Sequence, residues 1–261
     1  MSEPATPAAS AIFDATAEGY AATMAPSLRP VAAEVVRRAQ LHPGEKVLDV
    51  GAGTGIAAAA AHAAGAVVVG LDGAPGMIAI ARRDVPSVDF VVGDFMSLPF
   101  EDGAFDVVIS SHALLFADDR VGALREWRRV CRSGGRLSLS VPGPEERTPG
   151  TLYREVYRRH GVATTFDYPE AGDLVSWAHD AGWTDAAVAE DPAMAIRLAD
   201  ADAFTTWRST GSRGAATAGW SEEKHAALTA DMLANTPQEP DGGYAVPFGA
   251  IYLTARTFAR G

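Results

Sequence analysis

A chain of 261 residues, 48% hydrophobic and 21% charged, carries enough apolar material for one large core or for one domain bearing an elaborated lobe. Its formal net charge is -11, and no basic run exceeds the pairs Arg37-Arg38, Arg82-Arg83, Arg128-Arg129 and Arg158-Arg159, which argues against nucleic acid or an anionic membrane as partner. Cys131 is the only cysteine, so an intramolecular disulfide and a thiolate metal cluster are excluded.

Residues Met1 to Ser10 are rich in Pro and Ala, carry Glu3 and lack a basic n-region. No secretory signal is read there, and the expected location is the cytoplasm. After this irregular start, Ile12 to Ala39 predicts two or three short helices broken by Pro26 and Pro30. From Lys46 the pattern becomes regular: strand Lys46–Val50, Ala-rich helix Thr54–Ala64, strand Val67–Leu71, helix Pro75–Arg83, strand Val88–Val92 and strand Phe105–Ser110. A helix over Arg120–Cys131 with charge on one face and a strand over Gly135–Val141 follow, with Cys131 read as a core residue of that helix. Val50 to Leu71 has no formal charge, but Gly51, Gly53, Gly55, His62 and Gly65 divide it into turn, helix and strand rather than a membrane span. The loop PGPEERTPG (Pro142 to Gly150) closes this half. Beyond it come helices near Leu152–His160 and Asp173–Ala181, a strand at Ala186–Glu190, a helical stretch over Ala199–Asn235 and a last strand at Gly249–Phe258.

Strands that alternate with helices, each a β-branched run without polar alternation, predict a doubly wound, Rossmann-like α/β fold with a parallel sheet covered on both faces. The expected organisation is a helical lid segment at 1–40 and one domain at 41–261. Its cofactor half is 41–141, and its substrate half is 142–261 with a helical insertion at about 199–244.

The most informative run is VLDVGAGTG, Val47 to Gly55, between a strand and a helix. A nucleoside ligand at a strand's carboxyl end must approach backbone closely, and side chains at Gly51, Gly53 or Gly55 would block it. Free N–H groups at the helix start suit a carboxylate or a phosphate. The spacing is G-x-G-x-G, without the third glycine of the dinucleotide fingerprint. Asp72 follows the second strand and can accept bonds from two ribose hydroxyls, each charge-assisted bond contributing about 1.5–3 kcal/mol. The alternative is a cap for the helix at Pro75. Asp94 ends the third strand, where its carboxylate suits a purine amine and Phe95 can lie against the ring. Three successive strand ends then meet one adenosine-containing ligand.

On VLDVGAGTG (Val47-Gly55), VVGLDGAPGMIAIAR (Val68-Arg82), VVGDFMSLPFEDGAFDVVISSHALLF (Val91-Phe116) and REWRRVCRSGGRLSLS (Arg125-Ser140), the sequence resembles the class I methyltransferases of the UbiE/COQ5-like, type 11 group. The resemblance covers about Leu41 to Val141, and FDATAEGY (Phe13 to Tyr20) is similar to the family's N-terminal segment. It implies a seven-stranded sheet with an antiparallel last strand and S-adenosylmethionine as cofactor, leaving as S-adenosylhomocysteine. It further implies that Gly51 and Gly53 lie along the methionine moiety, Asp72 on the ribose and Met77 on the adenine. Asp94 and Phe95 would read the adenine edge, Ser110 would line the sulfonium end and Tyr20 would act as a lid. Asp49, Ala52 and Gly73 complete the cofactor-binding set. The acceptor is expected to be a small molecule, and the chain a monomer or homodimer.

Methyl transfer from a sulfonium needs alignment above all, and a general base only where the acceptor is protonated. His112, in SSHALLF after the fourth strand, is the candidate base, against the plainer reading of a loop histidine bonded to backbone. His42, His62 and His225 read as surface or turn residues, and His160 and His179 form no i,i+4 ligand pair, so no metal is expected. Trp177, Trp183, Trp207, Trp220, Phe204 and Tyr244 either pack the core or line an aromatic pocket for an apolar acceptor. Nucleic-acid amine methyltransferases carry an Asn/Asp-Pro-Pro-aromatic run where this chain has Ser-Ser-His-Ala, Ser110 to Ala113. Two other readings stay open: an NAD-dependent oxidoreductase on the same scaffold, and a non-catalytic protein that binds S-adenosylmethionine.

Overall fold

The computed structural model describes residues 9–162 and 168–258, apart from the side chain of Ser212. The start expected to be irregular lies outside the described residues over 1–8. Helix α1 (Ala9–Ala15) leads into α2 (Ala17–Ala39), which runs unbroken through Pro26 and Pro30. This corrects the expectation of short helices broken at the prolines. Each proline costs a helix about 3 kcal/mol. Both, however, are exposed, while other positions of the helix bury Met24, Leu28, Val31 and Val35. At about 1.5–3 kcal/mol for each buried apolar side chain, that stripe offsets the two lost bonds. The helix ends at Gln40, whose left-handed backbone (φ 50°) lets its N–H donate to the Arg37 carbonyl.

The next elements follow the expected boundaries to within a residue or two: β1 (Lys46–Val50), α3 (Ile56–Ala63), β2 (Val67–Asp72), α4 (Pro75–Asp84), β3 (Asp89–Val92), β4 (Phe105–Ser111) and α5 (Arg120–Val130). Strand β5 (Cys131–Pro142) starts earlier than expected. Cys131 pairs with Phe105 before a register shift, after which Arg136 pairs with Val107. Cys131 therefore opens a strand rather than lying inside a helix. It is buried, as expected, and burial pushes its thiol up to about 12.

Three helices come next, α6 (Pro149–Leu152), α7 (Arg154–His160) and α8 (Ala171–Asp180), then β6 (Thr184–Asp191) and β7 (Ala195–Leu198). The expected helical stretch is three helices, α9 (Ala201–Arg208), α10 (Gly211–Ala216) and α11 (Glu222–Ala234). Asp200 caps α9 by accepting the Ala203 N–H, and Ser221 caps α11 by accepting the Lys224 N–H. Strands β8 (Tyr244–Pro247) and β9 (Ala250–Arg256) complete the described elements. β7 and β8 form a small antiparallel sheet of their own that the sequence does not announce.

The main sheet has the order β3-β2-β1-β4-β5-β9-β6. β1 to β5 are parallel, and the last strand, β9, runs antiparallel to both β5 and β6. One face is covered by α2, α3 and α4, with Val35, Ala58 and Ile78 in the same cluster as Val47, Val107 and Ile109. The other face is covered by α5 and α8, with Leu124, Trp127 and Leu174 against Leu48, Val108 and Leu139. The chain winds outward from β1 to β3 and returns to β4, so the winding reverses between β1 and β4. In such sheets that reversal opens a crevice at the carboxyl ends.

Leu28 is only 2% exposed. Leu28→Ala should lower the free energy of unfolding by about 2–5 kcal/mol in a denaturant titration. A loss below about 1 kcal/mol would mean that α2 is not moored to the sheet.

Candidate functional site

At the end of β1 the chain must turn at once into α3. It does so with Gly51, Gly53 and Gly55 all in left-handed backbone, at φ 69°, 54° and 84°. The Gly51 and Ala52 N–H groups both donate to the Leu71 carbonyl, at 2.8 and 2.9 Å. The Gly53 N–H donates to the Asp72 carboxylate at 2.8 Å. These amides are therefore occupied within the fold itself. A side chain on Gly51 would meet the Ala113 Cβ at 2.2 Å, whereas one on Gly53 would meet nothing within 4 Å. Packing demands the first glycine. The second fronts open space.

Two carboxyl groups lie near the loop, one bonded to Gly53 and one buried behind it. Asp49 is fully buried, and neither of its oxygens has a hydrogen-bond partner. Burial pushes it up to about 7; the nearby Ala58 N–H offsets part of the rise and the charge of Asp72 adds to it. Asp72 is half-buried, taking the Gly53 N–H on Oδ2 and the Ala74 N–H on Oδ1 at 2.9 Å. Burial raises its carboxyl above the usual range against those bonds. The N-cap of α4 is Ala74 and makes no side-chain cap bond, so Asp72 is not the helix cap weighed for it; it holds the Ala74 N–H from two residues earlier. Asp72 thereby ties the start of α4 to the glycine loop.

Above the acids lies an apolar cover. Tyr20 is set edge-on to Phe13, centroids 5.9 Å apart, and Phe13 is edge-on to Phe116 at 5.0 Å. Burial, then the charge of Asp72, holds the Tyr20 phenol above its ordinary value. Met77 is buried with Ala17, Ala74 and Ile80, and Phe13 and Tyr20 pack on that cluster. A side chain on Gly73 would meet the Ser10 Cβ at 3.3 Å, so α1 passes close over the end of β2.

Beyond Ala113 stands His112, a non-glycine residue at φ 61°. Its N–H donates to the Ser140 carbonyl at 3.0 Å, and its Nδ1 lies 2.9 Å from the Ser140 hydroxyl. Nε2 is buried with no partner, and the ring centroid is 5.5 Å from that of Phe248. Burial pulls the imidazole down to about 4 despite the Ser140 backbone contact, so the ring is neutral at pH 7.

Asp49, Gly51, Ala52, Gly53, Asp72, Gly73, Met77 and Tyr20 thus gather at the tips of β1 and β2. Asp94 is exposed just past β3, its Oδ1 accepting the Met96 N–H at 2.8 Å. Phe95 turns away: its ring is edge-on to Trp127, and its carbonyl takes the Trp127 indole N–H at 3.0 Å. The Ser110 hydroxyl is buried and spent on the Val50 carbonyl at 2.8 Å, where it ties β4 to β1. Of the later aromatics, Trp183, Trp207 and Phe204 are core residues. Sequence reasoning did not single out Phe13, Ser140 or Phe248. Phe13 lies on α1 and Tyr20 on α2, so their contact is made across the turn at Thr16 and no single helical spacing announces it. Nothing local links His112 to Ser140 or Phe248. Among the described residues no group of three His, Cys, Asp or Glu is placed to hold a metal ion. No described helix is long and apolar enough to cross a membrane.

An unpartnered buried carboxyl, a second one close by and a bare glycine face suit an elongated ligand with a cationic end and vicinal hydroxyls. The residues present fit an adenosyl sulfonium. A family model described as a methyltransferase domain matches residues 48–139. A demethylmenaquinone methyltransferase of Renibacterium salmoninarum is 32% identical over 164 residues, covering 55% of this chain and 68% of that one. Another of the same name, from Corynebacterium efficiens, is 43% identical over 128 residues, covering 47% of this chain and about half, 53%, of the relative. Among solved structures the cyclase SpnF aligns with a TM-score of 0.61 at 24% identity, over 89% of this chain and 82% of that one. That likeness concerns the fold alone, which hosts more than one chemistry.

The two buried groups make opposite demands on pH. His112 has a folded value near 4 against an ordinary 6.5. Acidification through that window protonates the unfolded chain first and destabilises the fold. Asp49, raised from 3.8 to about 7, stabilises the fold on acidification through its own window. Replacing the imidazole isolates its share. Relative to the wild type, His112→Asn should gain about 2 kcal/mol of unfolding free energy between pH 7 and pH 5. Parallel curves for the two proteins would mean the ring is not held neutral.

Proposed function

The chain belongs to the UbiE/COQ5-like class I S-adenosylmethionine-dependent methyltransferases, and we propose that its acceptor is an apolar, ring-bearing small molecule with an ionisable hydroxyl or acidic carbon, of the quinol kind. What supports this reading is the pairing of the Asp49 and Asp72 carboxyls beside the open face of Gly53, with the neutral His112 ring next along the strand tips. The relatives named for demethylmenaquinone point to the same acceptor class.

When bound, S-adenosylmethionine supplies a methyl group already activated on a sulfonium. In this reading Asp72 accepts the ribose hydroxyls, exchanging its Gly53 bond for them, and Asp49 faces the cationic methionine end. Met77 and Tyr20 cover the adenosine, with Phe13 closing the same apolar cluster, and Asp94 takes the purine amine. Ser110 acts behind the site by fixing the tip of β4, and Phe95 by anchoring its loop on Trp127.

His112 holds Nδ1 on Ser140 and presents Nε2 without a partner. A base near 4 is too weak to ionise a free phenol at pH 7. A hydroxyl whose oxygen is bonding to the methyl carbon, as the carbon–sulfur bond breaks, loses its proton far more readily as that oxygen becomes positive. Nε2 would then need only to stand ready late in the step. It positions the hydroxyl first and receives its proton last.

Calorimetry with S-adenosylmethionine should show binding to the wild type and a loss of about 100-fold or more for Asp72→Ala, the equivalent of two charge-assisted bonds. Undiminished affinity in that variant would remove Asp72 from the cofactor site. With methyl-labelled cofactor and a reduced naphthoquinone acceptor, His112→Ala should turn over about 10²–10⁴-fold more slowly at unchanged cofactor affinity. Wild-type turnover at saturating acceptor would end its assigned role.

A further inference from the structure

The helices between β7 and β8 hold two guanidinium groups that form no ion pair with any described carboxylate. Arg208, the last residue of α9, is 4% exposed; its Nη2 lies 3.1 Å from the His225 Nδ1, while Nε and Nη1 are buried with no partner. Arg213, in α10, stacks on Trp207 with 4.2 Å from its guanidinium carbon to the ring centroid. Its only hydrogen-bond contact among the described residues is the Met24 sulfur at 3.9 Å, and its Nε is buried and unpartnered. The phenol of Tyr157, on α7, is buried without a partner as well. Both arginines lie near that phenol: burial pushes Tyr157 up to about 12, and the charges of Arg213 and Arg208 pull against it. Tyr153 and Tyr168 also face Arg213, and the Tyr153 hydroxyl is taken by Thr236 at 2.7 Å.

No carboxylate forms an ion pair with either guanidinium among the described residues. That is unusual in a chain with 33 Asp and Glu against 22 Lys and Arg. Elsewhere in the same fold arginines readily find acids, as Arg129 does with Glu126 and Asp102, and Arg136 with Glu45. Burying an unpaired charge is costly, and stacking on an indole returns only part of that cost. Two such charges near one unpartnered phenol leave donors that an anionic group could satisfy. A guanidinium fork matches the planar oxygens of a carboxylate, or those of a phosphate, bidentately.

The location ties this receptor to the strand tips. The Trp207 indole N–H donates to the Met24 sulfur of α2, and the Gly211 N–H donates to the Thr16 hydroxyl. A side chain on Gly211 would lie 3.6 Å from the Phe13 ring, and one on Gly19 would meet the Thr210 methyl at 2.8 Å. The segment carrying the arginines thus abuts the helix turns that bring Phe13 and Tyr20 over the acids.

We propose that Arg208, Arg213 and Tyr157 receive an anionic oxygen group, a carboxylate or a phosphate, borne by the methyl acceptor. The acceptor is then an apolar ring with a charged tail. This rests on the acceptor reading above, whereas the receptor itself does not.

The test uses the full chain with benzoate, phenyl phosphate and the neutral benzyl alcohol as probes, read by thermal shift and calorimetry. The wild type should be stabilised by benzoate or by phenyl phosphate, whichever group the site takes, and not by the alcohol. Arg213→Met and Arg208→Met should each weaken the anion about 10–100-fold. Without a probe they should unfold at the same or a higher temperature, because a buried unpaired charge has gone. Tyr157→Phe, which keeps the ring packing, should weaken the anion about 10-fold and serves if an arginine variant fails to fold. No anion-dependent shift in the wild type, or equal shifts in wild type and variants, would overturn the receptor. S-adenosylmethionine binding, measured on the same samples, reads the methyl-transfer assignment separately: its absence from the wild type would sink that assignment while leaving anion binding intact.

Discussion

The Asp72 carboxylate stands between two pieces of backbone that would otherwise be independent. One oxygen holds the Gly53 N–H of the loop after β1, and the other holds the Ala74 N–H at the start of α4. Through that bridge the turn after β1 and the turn after β2 take up one geometry. It also bears on the electrostatics: burial lifts the Asp49 carboxyl and the Tyr20 phenol, and the charge of Asp72 lifts both further. A ligand that takes over the bridge competes with the protein's own amides. The site must therefore exchange one satisfied arrangement for another, which favours a ligand with several hydroxyls on neighbouring carbons over one with a single acceptor contact.

Much of this was legible because it is local. Gly51, Gly53 and Asp72 lie at the ends of strands whose apolar runs need no distant partner to be recognised, and each does a job set by backbone geometry within a few residues. The parallel sheet followed from the same alternation, whereas its antiparallel last strand was an expectation of the family resemblance alone. What escaped depends on contacts far apart in the chain. β7 and β8 are four residues each and pair across three helices, so neither carries a pattern of its own. Phe95 and Ser110 stand where a binding role is natural, yet Trp127 claims the one and Val50 the other. The arginines at 208 and 213 look like ordinary surface charge until the fold closes around them.

His112 combines an anchored side with an open one. Its N–H is tied to the Ser140 carbonyl, in keeping with a loop histidine bonded to backbone. Its ring meets the Ser140 hydroxyl through Nδ1 and leaves Nε2 without a partner. A residue at positive φ with one face anchored and the other unmet is held in place by its surroundings. Burial keeps that ring a weak base, neutral at pH 7.

The exposed prolines of α2 bear on how the cover over the acids is hinged. Proline offers no amide hydrogen, so the carbonyls four residues earlier, at Ala22 and Pro26, face water without a helical donor. Both gaps fall on the outer stripe, between Tyr20 and the Val31–Val35 stretch that is buried against the sheet. Bending stiffness along the rod is therefore lowest at the joint separating its anchored half from the half that carries the aromatic cover. Hydrocarbon contact holds the far end down, and solvent wets the elbow.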